Sequence, residues 1–537
     1  MMKQFLILLS AIAITSCSKV EQADLIVHNA KVYSVDDQFQ TFEAFAIKDG
    51  KFIGIGSDAD IAKNFASEKT INADGKPIYP GFIDAHCHFY GLGMNQQVAD
   101  LVGTKSYDEI IERLVAFQKE KNVPYITGRG WDQNDWDVKE FPTKDKLDAQ
   151  FPNTPIALRR VDGHALFVNQ AAIDLSKLTA ETKVTGGEVI TKNGKMTGVL
   201  IDAAMNFINT PLPSRKEEIQ GLLAAQKICF DLGLTTVDDA GLSQSTIELI
   251  DSLQQSGDLK MRVYAMVSAT QKNLDYYISK GKIKTDRLNV SSFKVYGDGA
   301  LGSRGAAMRQ SYTDRDHHFG ALIFKPERYD EIAKQIAASE YQMNTHAIGD
   351  SANTHILKTY KTALKGEKNR RWRIEHAQII SPEDFIGFEN VIPSIQPTHA
   401  TSDMYWAEDR VGSERIKGAY AFKDLLKQHG KVALGTDFPV EYVSPFLTFY
   451  AATARQDIEG YPEGGYQMEN ALSREETLKG MTIWAAYSNF EEDEKGSIEI
   501  GKFADFIMLD QDIMEVELAK IPTSKVVSTF VNGEQVN

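Results

Sequence analysis

The sequence has few cysteines, no excess of positive charge and no long apolar run after its first residues. Each of these absences argues against a class of protein. Only three of its 537 residues are cysteine, which argues against a disulfide framework. Its formal net charge of −15 argues against a nucleic-acid partner, because phosphates attract a basic surface. Beyond the first residues, no apolar stretch reaches the roughly 18 residues of a membrane-spanning helix, so we expect the rest to be soluble. An apolar content of 42% is typical of a globular protein with ample core.

The N-terminus departs from this even composition. A short positive start precedes an apolar run over residues 5–14, and "ITSC" follows at residues 14–17. Such a run is too short to span a bilayer and is typical of a signal peptide, so we expect residues 1–16 to be removed. The four residues resemble a bacterial lipobox, which implies export, lipidation of Cys17 and anchoring to a membrane, as at the outer membrane or facing the periplasm. An ordinary secretory signal is the alternative.

Both ends of the remaining chain carry β-strand patterns. Residues 24–79 contain alternating apolar segments and the turn signal Asp49-Gly50, and the C-terminal residues contain similar segments with Asn532-Gly533. Neither end offers enough strands for an independent core. We therefore expect residues 23–79 and 496–537 to build one small composite β-sandwich.

Between these ends, short apolar strands alternate with helical segments. Eight candidate strands lie at residues 84–88, 235–241, 261–268, 291–299, 343–350, 371–378, 392–399 and 431–440. Amphipathic windows such as 217–232 and 329–339 separate them, which is typical of βα units around a parallel sheet. The pattern predicts an α/β fold, a (β/α)8 TIM barrel over residues 80–495, with its active site at the carboxyl ends of the strands.

The segment from about 100 to 215 is too long for one loop of a barrel. The turn signal Asn193-Gly194 gives it a hairpin of its own. We expect an insertion after the first barrel strand, folded over the barrel mouth.

Ionisable side chains recur at the predicted strand ends. His86 and His88 of "PGFIDAHCHF" lie two apart, so their side chains point the same way and could hold a metal, although two surface histidines would fit equally. Four more residues follow strands four, five, six and eight: Lys294, His346, His376 and Asp437. Singly, each has a structural alternative, such as a lysine at the rim, a core histidine or an aspartate that closes a turn. Their occurrence at five of eight strand ends favours a metal site.

These segments together resemble the metal-dependent amidohydrolase superfamily. An ordered set of motifs over nearly the whole chain after the signal carries the resemblance: "PGFIDAHCHF", "GRGWDQNDW", "GHALFVNQAA", "TTVDDAG", "FKVYGDGALGSRGAAM", "NTHAIGDSAN", "RIEHAQ" and "LGTDFPV". The chain is similar to the branch of N-substituted formamide deformylase-like proteins (amidohydrolase family 3). Members of that branch share a fold and a metal site, yet differ widely in substrate.

The resemblance implies a centre with two divalent ions. Their ligands would be His86, His88 and Asp437 for the first ion, and His346 and His376 for the second. Lys294 corresponds to a lysine that many relatives carboxylate with CO2 and that bridges both ions. A neutral amine is a poor zinc ligand, whereas a carbamate supplies two anionic oxygens. Imidazole and carboxylate ligands favour zinc.

The implied chemistry is hydrolysis of a non-peptide carbon–nitrogen bond in a small amide. A metal-bridging hydroxide would attack the carbonyl, and Asp437 would accept the proton and deliver it to the leaving nitrogen. Four residues are candidates for the substrate pocket: Trp131, His164, Arg304 and His399. A tryptophan is more often a core residue and an arginine more often an ion-pair partner, so structural roles compete with these assignments.

Two other functions stay open from the sequence alone. The same site could hydrolyse a cyclic amide, a lactone or an ester. In a different class, a catalytically silent lipoprotein could bind a ligand for uptake or sensing. A complete ligand set favours the enzyme, because a binder gains nothing from a bridging lysine and a proton shuttle. The sequence names no substrate, and the resemblance leaves a homodimer open.

Overall fold

The computed structural model of the chain describes residues 20–160, 165–184 and 187–537. The predicted signal peptide, Cys17 and His164 lie outside these ranges. The largest sheet contains eight parallel strands in sequence order: Phe82–Cys87, Leu234–Leu242, Arg262–Ser268, Leu288–Tyr296, Gln342–Ala347, Arg373–His376, Ile392–Ile395 and Ala433–Leu434. This order and direction confirm the predicted (β/α)8 barrel.

The barrel closes between its first and eighth strands through backbone hydrogen bonds. The N–H of Asp437 donates to the carbonyl of His86 at 2.8 Å, and the N–H of His88 donates to the carbonyl of Phe438 at 2.7 Å. Asp84 fastens the same seam, because its carboxylate accepts hydrogen bonds from the backbone and hydroxyl of the residue before Asp437. Barrel closure thus brings two distant ligand segments side by side.

Helices pack around the strands. The α-helices of the barrel, outside the insertion, are Phe89–Asn95, Arg215–Asp231, Gln244–Ser256, Gln271–Lys280, Pro326–Ala337, Asp350–Leu364, Pro397–Asp403, Ala407–Arg415, Phe422–His429, Pro445–Ala454, Arg474–Gly480 and Ile483–Ser488. The first long one begins at a capping box formed by Ser214 and Glu217, and Pro326 occupies the first turn of another. Both start earlier than the windows at 217 and 329, because a capping box in one and a proline in the other, rather than apolar periodicity, set their first residues.

Two smaller sheets share one apolar core. The four-stranded sheet contains Lys51–Gly56, Ala44–Lys48, Leu25–His28 and Thr70–Asn72, in that order. The six-stranded sheet contains Glu534–Gln535, Val526–Val531, Phe506–Leu509, Pro77–Pro80, Lys31–Tyr33 and Thr41–Phe42, so it combines both chain ends. Between the sheets, the rings of Phe45 and Phe506 lie 4.9 Å apart, and Phe506 stacks on Phe530 at 4.3 Å. The expected sandwich of both ends is present.

The insertion after the first barrel strand has its own sheet and core. Its six strands are ordered Ala99–Asp100, Ile126–Trp131, Ile156–Arg160, Ala165–Val168, Lys195–Asp202 and Gly187–Lys192. Its helices are Tyr107–Lys121, Asp145–Gln150 and Gln170–Asp174. The predicted hairpin turns at Asn193 and Gly194, both with positive φ.

None of the helices in the described ranges combines the length and the apolar character that a membrane span needs.

Candidate metal centre

Strand alternation brings the predicted ligands into the barrel interior. Lys294 is buried there, because its neighbours Phe293 and Val295 lie in the apolar layer between strands and helices. The ring centroids of His346 and His376 are 4.5 Å apart. The other two imidazoles join this group, with centroid distances of 4.9 Å from His86 to His376 and 5.8 Å from His86 to His88.

Asp437 lies where the imidazoles meet. Its Oδ1 is 3.2 Å from Nε2 of His88 and 3.6 Å from Nε2 of His86, and its Oδ2 is 3.3 Å from Nε2 of His399. Both Asp437 and His376 have left-handed backbones, with φ of 63° and 73°. That conformation costs a non-glycine residue about 1–2 kcal/mol. Such strain clusters at functional sites, and here the closing seam of the barrel holds Asp437 in place.

The donor set fits a divalent cation. Two groups of three side chains each place their ligand atoms within 4.8 Å of one another: His86, His88 and Asp437, and His376, His399 and Asp437. Three buried atoms have no aligned hydrogen bond within the described chain: Oδ1 of Asp437, Nε2 of His346 and Nδ1 of His376. Buried polar atoms are nearly always satisfied, and a cation within this group would satisfy all three. Imidazole with carboxylate is a donor set that zinc favours.

The electrostatics keep two of the histidines in the neutral form, which is the form that binds metal. Burial and then the charge of Lys294 lower the pKa of His86 to about 4 and that of His346 to about 3. Burial also lowers the pKa of Lys294 to about 8, against the attraction of Glu375. His86 and His346 are therefore neutral at physiological pH, and part of the lysine is the free amine. Both are the protonation states that metal binding or carboxylation requires.

His399 was predicted for the substrate pocket and lies in direct contact with Asp437, one of the predicted ligands. Its Nδ1 is 3.1 Å from Oε1 of Glu441, opposite its contact with Asp437. Burial lowers its pKa, but the two carboxylates outweigh this and raise it to about 10. Burial likewise raises the pKa of Asp437, yet the hydrogen bonds from His399 and His88 hold it well below the usual range. The result is a buried carboxylate that stays ionised.

Two residues beside the cluster were missed in the sequence. Glu375 lies 2.6 Å from Nδ1 of His86, and both side chains are fully buried. Tyr296 is 40% exposed at the end of the fourth strand, with its ring 6.0 Å from that of His346. Alternation offered a signal for Tyr296, which stands two residues after Lys294. It offered none for Glu375, because the neighbouring His376 was predicted to face the interior.

The structure does not bring the other two pocket candidates that it describes to this cluster. Trp131 is fully buried in the apolar core of the insertion, where its indole N–H donates to the carbonyl of Leu158 at 2.8 Å. That indole fills a core between sheet and helices and therefore has no surface for a ligand. Arg304 pairs with Asp314 at 3.0 and 2.7 Å, and Arg410 contacts the same carboxylate.

Comparisons with known proteins extend this picture. The model of the Amidohydrolase family matches residues 69–537. Protein LONG AFTER FAR-RED 3 of Arabidopsis thaliana is 31% identical over 96% of this chain and 91% of its own. N-substituted formamide deformylase of Arthrobacter pascens is 25% identical over 96% of this chain and 98% of its own.

A solved structure shares the fold over nearly the same length. The crystal structure of an uncharacterized metal-dependent hydrolase from Pyrococcus horikoshii superposes with a TM-score of 0.78 at 27% identity, and covers 92% of this chain and 99% of its own. The barrel, the cluster at its carboxyl end and the match over most of the chain lead to one conclusion. The protein belongs to the amidohydrolase family and is a metal-dependent hydrolase of that type.

Proposed function

We propose that the protein hydrolyses a non-peptide carbon–nitrogen bond in a small amide. The cluster around Asp437 carries the proposal, because an ionised carboxylate lies at the barrel mouth within reach of several imidazoles that could share an ion with it. The name of the deformylase relative states that it acts on N-substituted formamides, which supports an amide as the substrate class. The same chemistry on a cyclic amide, a lactone or an ester is the alternative.

The proposed cofactors are two zinc ions. The first would be held by His86, His88 and Asp437, and the second by His346 and His376, with carboxylated Lys294 between them. When bound, such ions supply a Lewis acid for the carbonyl and a water that ionises near neutral pH. The burial of Lys294 supports carboxylation, because the free amine is the form that adds CO2 and releases a proton. His399 could complete the second ligand set, since it faces the same carboxylate.

The side chains of this protein would transfer the proton and position the group that transfers it. Asp437 accepts a proton from the attacking water and returns it to the leaving nitrogen, so that an acid and an amine are released. His88 and His399 contact the two oxygens of Asp437 and fix its plane. His399 in turn is held by Glu441, whose other contact is the hydroxyl of Ser402 at 2.6 Å. This chain of contacts keeps the acid–base group aimed into the barrel mouth.

We also propose that the enzyme is an exported lipoprotein, anchored to a bacterial membrane through Cys17. The support is the "ITSC" sequence after the apolar run at residues 5–14. Wild-type protein should partition with membranes, and Cys17→Ala should be released or left unprocessed. A freely soluble wild type whose N-terminus is not Cys17 would contradict the anchor.

Metal analysis and a substrate screen together test the enzyme. Protein purified without chelator should hold close to two ions per chain, and zinc-loaded protein should cleave at least one of three classes: N-formyl amines, N-acyl amino acids or aryl amides. Asp437→Asn should lower turnover by at least about 100-fold, the usual contribution of a general acid–base group. Less than about half an equivalent of metal would favour a silent ligand-binding protein, because ligands without metal have no catalytic use. Cleavage of lactones alone would favour the alternative substrates.

A further inference from the structure

We infer that Glu375 is a positioning residue that fixes His86 for metal binding, at the end of a buried line of charged side chains. The inference rests on the proposed metal-dependent function. It concerns a residue next to the cluster that is not one of the proposed ligands.

The contact between Glu375 and His86 selects one tautomer of the imidazole. Oε2 of Glu375 is 2.6 Å from Nδ1, and the side chains are 0% and 1% exposed. An ionised carboxylate only accepts hydrogen bonds, so Nδ1 carries the proton and Nε2 keeps its lone pair. That Nε2 faces the cluster, 3.6 Å from Oδ1 of Asp437 and 3.2 Å from Nζ of Lys294. The imidazole therefore presents its coordinating nitrogen to the proposed ions.

Glu375 is itself held by Arg373. The guanidinium Nε lies 3.4 Å from Oε1 of Glu375, and Nη1 lies 3.0 Å from Oδ2 of Asp238. Asn489 closes the line by donating to Oδ1 of Asp238 at 2.7 Å. Arg373 and Glu375 stand two apart on the sixth strand, so both enter the interior, while Ile374 between them joins the outer apolar layer. The cation keeps the carboxylate ionised and leaves Oε2 for the imidazole.

A purely structural role explains this line poorly. Barrel interiors at this level are usually filled by branched apolar side chains, and the desolvation of a buried ion pair can exceed its Coulombic gain. A structural pair of Arg373 and Asp238 would be complete without Glu375. Metal-binding histidines, in contrast, commonly donate their second nitrogen to a carboxylate that sets tautomer and ring orientation. The position of Glu375 against Nδ1 matches that use.

Zinc binding to three variants tests the inference: Glu375→Ala, Glu375→Gln and Asp238→Asn. Asp238 contacts the same arginine but no histidine, which makes its variant the matched control. Metal-free proteins would be titrated with zinc against a chromophoric chelator, and their melting temperatures measured separately. We expect Glu375→Ala to weaken zinc affinity by about 10- to 100-fold, the usual cost of losing such a partner. Glu375→Gln keeps an acceptor oxygen and should recover part of that loss.

The control separates positioning from stability. Asp238→Asn should melt at a lower temperature yet bind zinc within about three-fold of wild type, because the contact with His86 is intact. Wild-type affinity in Glu375→Ala would overturn the inference. An equal loss of affinity in Asp238→Asn would overturn it too, because the effect would then come from the arginine line and not from the imidazole.

Nitrogen-15 spectra of histidine-labelled, metal-free wild type give a readout without any variant or metal. His86 should be protonated on Nδ1 and not on Nε2. The opposite tautomer would overturn the inference, even for an enzyme that binds zinc and cleaves amides. A wild type with the expected tautomer and no measurable zinc affinity would instead overturn the proposed function.

Discussion

At the amino end of the barrel strands, Arg262 donates two hydrogen bonds, of 2.5 and 2.9 Å, to the carboxylate of Asp505. Glu491 is enclosed there by Lys284 and by Lys495, whose Nζ lies 2.7 Å from it. At the carboxyl end, the buried charges of Asp437 and Lys294 contact imidazoles and not lysine or arginine partners. Asp437 contacts the imidazoles of His88 and His399, and Lys294 faces the imidazole of His86.

The difference distinguishes ion pairs that stabilise the fold, at the amino end, from side chains arranged as in a ligand site, at the carboxyl end. A buried polar atom without a hydrogen bond costs about 1–3 kcal/mol. Three atoms of the described cluster lack an aligned one: Oδ1 of Asp437, Nε2 of His346 and Nδ1 of His376. At the amino end Oε2 of Glu491 lacks one too, but the cation of Lys495 lies 2.7 Å from it.

At the amino end each carboxylate has a cation beside it, Asp505 that of Arg262 on the third barrel strand and Glu491 those of Lys284 and Lys495. Buried charge alone therefore does not mark a site. A group of largely buried ligand atoms within reach of one ion does, and substitutions at the two ends should affect different measurements.

The largest effect is expected from Lys294→Ala. Loss of the proposed carbamate should remove bound metal and lower turnover by at least about 1,000-fold, because metal ions supply several kcal/mol of transition-state stabilisation. Acetate should partly restore both by standing in for the carbamate, whereas Lys294→Arg should resist rescue because a permanent cation stays in the site. Metal content and turnover with and without acetate are the measurements.

Lys495→Ala is the matched control, since this lysine is equally buried at the opposite end. It should lower the melting temperature and leave the metal content unchanged. If Lys294→Ala keeps two ions and wild-type turnover, a single ion on the remaining ligands becomes the better account and the contrast between the two ends fails.

Asp505→Asn should give the next largest effect, on stability alone. Removing one partner of a buried ion pair costs about 3 kcal/mol, and here it would leave the guanidinium of Arg262 between the barrel and the terminal sheet without its carboxylate. Chemical denaturation should report this loss. Turnover per folded molecule should stay that of wild type, and a fall in turnover with unchanged stability would show that the two ends are coupled.

The sequence allowed the eight strands and the six proposed ligands to be predicted, because each ligand follows an apolar strand at its carboxyl end. Glu375 was missed for a physical reason. In a regular strand Glu375 and His376 would point to opposite sides, but the φ of 73° at His376 turns its side chain back to the cluster. Local periodicity cannot show that turn. It also cannot pair Arg262 with Asp505, which lie 243 residues apart.

Glu491 makes the amino end sensitive to acid. Burial would raise its pKa, but Lys495 and then Lys284 outweigh burial and lower the pKa to about 2 from an ordinary value of 4.5. A lowered pKa contributes stability above the ordinary value, and this is lost as the pH falls through the window from 4.5 to about 2. Wild type should therefore lose of the order of 2 kcal/mol across that window that Glu491→Gln does not lose.

Unfolding midpoints of both proteins over this pH range provide the measurement. Glu492→Gln is the control, since the neighbouring glutamate forms a more exposed pair with Arg371 and such pairs contribute less. Parallel pH profiles for wild type and Glu491→Gln would show that this ion pair does not stabilise the amino end.

The smallest effect is expected from Arg304→Ala. Arg304 was a candidate for binding substrate, yet its guanidinium is occupied by Asp314, and Arg410 remains to neutralise that carboxylate when Arg304 is removed. We expect KM and kcat within about two-fold of wild type, as for most substitutions of surface ion pairs. Asp314→Asn should be equally mild. Steady-state kinetics on the substrate found in the screen decide the matter: a KM raised more than about ten-fold at constant kcat would mean that Arg304 leaves Asp314 to bind substrate. The guanidinium of Arg304 would then be a second charged group at the carboxyl end that exchanges its partner, here Asp314, for the substrate.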